Sequence, residues 1–190
     1  MTFVGLDIES SRGDLYARCI QLGIAYSLTS YSSTLVRWSA HDLEHHGHWQ
    51  AEAEAVHKIP KEFVLLQDHN DEYAAHNLDR RLESVFRDAY QFEEKQLIAV
   101  GFNVGGFDLP ILRRDMPRMA KYFHYRTLDL NSVMFMDAKR QHRDFKMLKD
   151  LVIEEAKRRL EIAGTAEARH NAGYDAVLAL VCMQVLEEWR

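Results

Sequence analysis

Phe3–Ser11 reads FVGLDIESS, an alternation of apolar and polar residues. Successive side chains of an extended strand point to opposite faces, so Val4, Leu6 and Ile8 share one face and Asp7 and Glu9 the other. The first face belongs to a core, and the second carries two carboxylates side by side. At the end of an apolar strand, mutual repulsion and desolvation destabilise such a pair, and a divalent cation between them relieves both. Alone, a D-x-E pair also fits a solvated strand face. Its meaning depends on what the rest of the chain brings to it.

A second stretch, LIAVGF at residues 97–102, reads as a β-branched, apolar strand. Asn103, Gly105 and Gly106 break it, and Phe107, Asp108 and Leu109 lead into Pro110. Pro is favoured in the first turn of a helix, which puts Asp108 where a side chain can cap free N–H groups. Capping is the plain reading of Asp108, and a metal-binding role gains weight only from the other acids.

The third stretch is RHNAGYDAVLAL at residues 169–180. From Ala172 to Trp189 the pattern is helical, with Val177, Leu178, Leu180, Val181, Val185 and Leu186 on a broad apolar face. Asp175 shares the stripe of Leu178, Cys182 and Leu186, where a carboxylate needs a cation. His170 lies just outside the helix start, with Asn171 as its cap. An imidazole changes charge between about pH 5 and 8 and can take a proton from water, although a histidine before a helix is also an ordinary surface residue.

In order, D-x-E, N-x-x-x-F-D and H-x-A-x-x-D resemble the three exonuclease motifs of the DEDDh group of DnaQ-like 3′-5′ exonucleases. RCIQLGIAY, EAEAVHKIP and RTLDLNSV resemble other segments of that family, so the resemblance covers nearly the whole chain. It implies a ribonuclease-H-like α/β fold, a central mixed β-sheet flanked by α-helices. It also implies that Asp7, Glu9, Asp108 and Asp175 bind metal and that His170 is the general base. Two divalent cations, Mg or Mn, about 3.5–4 Å apart, would bracket the scissile phosphate, and oxygen ligands suit such hard ions.

The same resemblance nominates Ser10, Ser11 and Leu15 for holding the terminal nucleotide, with Asn103 and Phe107 supporting the site. Turn former and core aromatic are the plain readings of the last two. Two departures stand out. Ser10, Ser11, Arg12 and Gly13 occupy the place of Thr-Thr-Gly in many members, and the spacing from Asn103 to Asp108 is similar to that of the TREX group and of family-B polymerase exonuclease domains.

At 190 residues and 47% hydrophobic content, the chain is expected to form one domain over 1–190 around one core. MTFVGLDIES reads as a strand rather than a signal peptide, and no apolar run is long enough to span a membrane. The expected setting is soluble and cytoplasmic, with Cys19 and Cys182 as buried thiols. A net charge of −5 looks unsuited to a polyanion until it is divided. Between Arg113 and Arg159, 13 Lys or Arg outnumber 7 Asp or Glu, a segment suited to phosphate contacts.

Residues 2–9, 18–27, 33–38 and 96–102 read as strands, residues 78–94 as a helix, and the chain after the fourth strand as mainly helical. Residues 41–71 are the least regular, and His41, His45, His46 and His48 lie close together there; a polar loop fits better than a zinc site, since cysteines and strict ligand spacing are missing. The leading expectation is an exonuclease that releases nucleoside 5′-monophosphates from single-stranded 3′ ends, DNA before RNA. Alternatives are an exoribonuclease, a proofreading subunit that binds a polymerase or another replication partner, and a silent nucleic-acid binder. The resemblance also implies a homodimer.

Overall fold

The computed structural model describes residues 1–46, 49–68, 70–165 and 170–189. Its centre is a five-stranded mixed sheet in the order β3-β2-β1-β4-β5. The strands are β1 Thr2–Ser10, β2 Cys19–Ala25, β3 Tyr31–Leu35, β4 Leu97–Gly101 and β5 Leu128–Asp129. The first three form an antiparallel meander, and β4 and β5 run parallel to β1. The helices are α1 Ala51–His57, α2 Ala75–Ser84, α3 Asp108–Asp115, α4 Pro117–Ala120, α5 Leu130–Arg140, α6 Phe145–Ile162 and α7 Ala172–Glu188.

The alternation of the first strand divides two cores. Val4, Leu6 and Ile8 pack with Ile20, Leu22 and Ile24 against residues of α2, α3 and α4. Across the sheet, Ala25 and Val100 pack with residues of α5, α6 and α7. Buried residues surround α7 on nearly every side, from Ala172 to Leu186, because it lies between the sheet and α6. Its sequence is accordingly apolar all round rather than amphipathic.

Two glycines let α7 lie tight on the sheet. A Cβ on Gly5 would fall 2.0 Å from the Ala176 carbonyl oxygen, and one on Gly23 would fall 1.8 Å from that of Ala172. Gly23 pairs directly with Asp7, and Gly5 shares its strand face with Asp7 and Glu9. The carboxylates of β1 thus face the first turns of α7.

Several sequence expectations shift. β3 begins at Tyr31 and ends at Leu35, while Arg37 and Trp38 form single bridges to Ala74 and Leu65. The helix expected over 78–94 spans Ala75–Ser84 and a π-helical turn at Val85–Ala89. It stops because Gln91 takes a left-handed φ of 53° and Phe92 turns back towards the core. Residues 41–71 are not one irregular loop: they hold a helical turn at Asp42–His46, α1 and a short 3-10 helix at Lys61–Val64, anchored by buried Leu43 and Val64. The two-residue β5 was hidden in a segment read as helical.

No described helix is long and apolar enough to cross a membrane. Cys19 and Cys182 are free, buried and in different cores. Burial raises both thiols, Cys182 to about 12, so neither is a ready nucleophile.

Candidate active site

Three elements bring the acids together. Asp7 and Glu9 project from β1 towards α7, whose first turn carries Asp175. Asn171 fixes that turn by accepting from the N–H groups of Gly173 and Tyr174 at 3.1 and 3.3 Å. Gln21 of β2 adds an acceptor, its Oε1 lying 2.9 Å from the Ala172 nitrogen. The helix start is therefore held from its own side and from the sheet.

Asp108 enters along the other edge of β1. The β1–β4 pairing ends at Gly5 and Val100, and further along β1 the Ile8 N–H donates to Asp108 Oδ1 at 3.0 Å. Asp108 is the first residue of α3 rather than its cap; Phe107 holds the cap position and makes no side-chain cap bond. The capping role that Pro110 suggested is replaced by a strand-to-helix tie that buries the carboxylate beside Asp7.

His170 stands exposed at a left-handed φ of 56°, just before the Asn171 cap. Ligand atoms of Glu9, His170 and Asp175 all lie within 4.8 Å of one another, close enough for one ion. Among the described residues, these are the only three His, Cys, Asp or Glu side chains grouped that tightly. The His41 and His45 rings lie 4.6 Å apart, tilted by 46°, and belong to no such group among the described residues; the His46 side chain and His48 lie outside the described residues.

Electrostatics bind the acids into one unit. Burial lifts Asp7 well above the usual carboxylate range, and the charges of Asp108, Asp175 and Glu9 lift it further. Burial with Asp175 and Asp108 raises Glu9 to about 7. Burial also raises Asp108 to about 7, against the opposing Ile8 N–H. Asp129 at the end of β5 adds to that rise, a neighbour the motif reading missed. Without a cation such a cluster holds protons at neutral pH; a divalent ion inverts that preference.

The remaining nominated residues take different places. The Ser10 hydroxyl donates to the Arg12 carbonyl at 2.8 Å. Ser11 is fully buried, and its Oγ accepts from the Arg18 N–H at 2.9 Å, so it supports the loop from within. Leu15 is exposed, its carbonyl held by Arg114. Asn103 is left-handed at φ 62° and forms the turn that accepts from Gly106 and Phe107. Phe107 is half-buried and lines a cavity of about 410 Å³ that also touches Glu9, Ser10, Arg12 and His57.

Arg12 and His57 were not singled out in the sequence. The signal for His57 lay in EAEAVHKIP, whose apolar Ala53 and Val56 form the same wall. Of the basic residues after Arg113, Arg114 is tied to Leu15, Ala17 and Asp115, Arg118 to Glu83, and Arg159 to Glu155 and Glu188. Those three are structural before they are phosphate contacts.

Sheet order, strand directions and flanking helices define a ribonuclease-H-like α/β fold. Exonuclease I has the same fold. The structure of Escherichia coli exonuclease I with a dT13 oligonucleotide matches with a TM-score of 0.63 and 15% identity, over 100% of this chain and 42% of that one. A moderately thermophilic exonuclease I from Methylocaldum szegediense matches at 0.62 and 16%, over 99% and 40%. A zinc-bound form of the E. coli exonuclease I–ssDNA complex matches at 0.59 and 17%, over 99% and 40%. The chain spans about two fifths of the length of these structures. No family model and no curated protein sequence matches it.

Proposed function

We propose that this chain is a metal-dependent 3′-5′ exonuclease of the DEDDh type, hydrolysing single-stranded nucleic acid, DNA before RNA, to nucleoside 5′-monophosphates. The observation that carries the reading is the convergence of Asp7, Glu9, Asp108 and Asp175 into one mutually repelling cluster with His170 beside it. The exonuclease I fold adds support, because structures of that fold include oligonucleotide complexes.

The donor set fits two divalent cations of the Mg or Mn kind. Asp7, Glu9, Asp108 and Asp175 supply oxygen ligands, and their raised proton affinity is what a cation would satisfy. When bound, such ions polarise the phosphate and acidify the attacking water. His170 accepts the water's proton, and its exposed position lets it pass that proton to solvent. Gly5 and Gly23 keep α7 close, so Asp175 and His170 stay within reach of Glu9. Phe107 and the cavity beside it receive the terminal nucleotide.

The test uses 5′-labelled single-stranded DNA and RNA with wild type and Asp7→Ala, in Mg²⁺, Mn²⁺ or EDTA. The expected result is a ladder shortening from the 3′ end that needs metal and Asp7, faster on DNA. Cleavage that survives EDTA or the substitution removes the proposed site, and a faster RNA ladder reverses the sugar preference.

A further inference from the structure

The start of α7 has one buried N–H group that its own segment does not satisfy. The first N–H groups of a helix lack intrahelical partners. In α7 the regular bonding begins with the Asp175 N–H, which donates to the Asn171 carbonyl at 3.0 Å. Before it, the Asn171 side chain accepts from Gly173 and Tyr174. Ala172 remains, and it is completely buried. Its N–H donates at 2.9 Å to Oε1 of Gln21, a side chain only 8% exposed and 151 residues away in the chain.

β2 meets the same residue a second time. Gly23 shares a strand face with Gln21, and a Cβ on it would fall 1.8 Å from the Ala172 carbonyl oxygen. Ala172 is thereby fixed at both its N–H and its C=O. The strand that fixes it is paired with β1, where Gln21 lies opposite Glu9 and Gly23 opposite Asp7. The place of the helix start and the place of the acids are set by one strand pair. An amide suits position 21, since a carboxylate would add a further negative charge beside Glu9.

The tie bears most on His170. Asp175 lies within the helix, where its N–H is bonded and packed residues surround the turns that follow. His170 precedes the cap, is exposed, and has a left-handed φ of 56°, unfavourable for a residue with a Cβ. Its position follows from where the chain enters α7. Ligand atoms of Glu9, His170 and Asp175 lie within 4.8 Å of one another, and a shift of about 1 Å in such a group can lower a rate by about 100-fold.

Resting on the exonuclease reading, we propose that Gln21 is a positioning residue: by anchoring the Ala172 N–H it sets His170 within reach of the water that attacks the phosphate. Its amide oxygen is committed to Ala172, so its effect reaches the reaction through the imidazole.

The experiment uses Gln21→Met, which keeps the length of the side chain and removes the acceptor, alone and combined with His170→Ala. Hydrolysis of 5′-labelled single strands in Mg²⁺ is measured beside hydrogen exchange at the Ala172 amide and thermal melting with and without Mg²⁺. Gln21→Met is expected to lower kcat about 10- to 100-fold with KM unchanged. It should also speed exchange at Ala172 and keep the rise in Tm that Mg²⁺ gives. Added to His170→Ala, it should lower kcat by no more than about 2-fold, because a residue that acts through His170 has nothing left to position. Gln21→Asn, too short to reach Ala172, is the second variant should Gln21→Met melt below the assay temperature. An unchanged kcat, with or without a lower Tm, makes Gln21 a support of the fold alone and overturns the assignment. So does a full second loss on top of His170→Ala, or disappearance of the Mg²⁺ effect. Faster exchange at Ala172 in the variant, without hydrolysis of any strand by wild type, keeps the tie and removes the exonuclease reading.

Discussion

Two groups of buried or half-buried carboxylates in this molecule have opposite surroundings. Asp115 accepts from Arg18 Nη1 at 2.8 Å, Arg114 Nε at 2.7 Å and the Cys19 N–H at 3.0 Å. Asp71 accepts from Arg37 at 2.9 Å and from the Tyr73 N–H at 2.9 Å. Burial alone would raise Asp71, yet Arg37 and neighbouring N–H groups hold it below its ordinary value. Asp7, Glu9 and Asp108 form no ion pair with Lys or Arg among the described residues, and all three are raised. The first group joins elements of the fold, and the second concentrates negative charge that the fold does not neutralise. Buried charge is therefore informative only when its partners are counted.

Substitutions should separate the two groups by which property they change. Asp7→Ala is expected to lower turnover by about 10³-fold or more, since metal-assisted charge stabilisation is worth several kcal/mol. The same variant should melt no lower than wild type in EDTA, because it removes repulsion, and should lose the stabilisation that Mg²⁺ gives. Asp115→Ala should do the reverse: breaking a buried, hydrogen-bonded ion pair destabilises by about 3–5 kcal/mol, a Tm drop on the order of 10 °C in a chain this size. If Asp115→Ala melts normally, or Asp7→Ala unfolds without metal, the division into structural and functional carboxylates fails.

His170→Ala should lower turnover by about 10²–10⁴-fold while leaving most of the Mg²⁺-dependent rise in Tm. A parallel loss of that rise would make the imidazole a ligand rather than a base, in keeping with its place beside Glu9 and Asp175.

How much of this was legible beforehand depended on the range of the interaction. The alternation of β1 placed Val4, Leu6 and Ile8 in one core and Asp7 and Glu9 opposite them, because strand period is a local property. The cap at Asn171 and the apolar run after it marked α7 for the same reason. Asp108 was harder: its sequence neighbours suggested a cap, while its acceptor role is set by Ile8, far away in the chain. Gly5 and Gly23 were silent, since their importance lies in the approach of α7. β5 was missed because two residues carry no period.

The smallest expected effect distinguishes the two groups by the sign of their pH dependence. Glu9 and Asp108 titrate near 7 in the folded chain, above their ordinary values of 4.5 and 3.8. A carboxylate raised by folding binds its proton more tightly in the native state, so its contribution is complete below the ordinary value and disappears as pH rises through about 7. Asp71 is lowered by folding, so its contribution is present above its ordinary 3.8 and disappears on acidification. Metal-free protein should therefore lose several degrees of Tm between about pH 4.5 and 8 from the site carboxylates. Saturating Mg²⁺ should reverse that slope at the upper end, because metal binding displaces protons and strengthens with pH. Glu9→Gln with Asp108→Asn should make the metal-free profile shallower, leaving the part due to Asp7, which burial still raises, and the acid limb set by Asp71. A wild-type profile that is already flat in EDTA would mean that the fold neutralises the cluster by itself, and the contrast between the two groups would disappear.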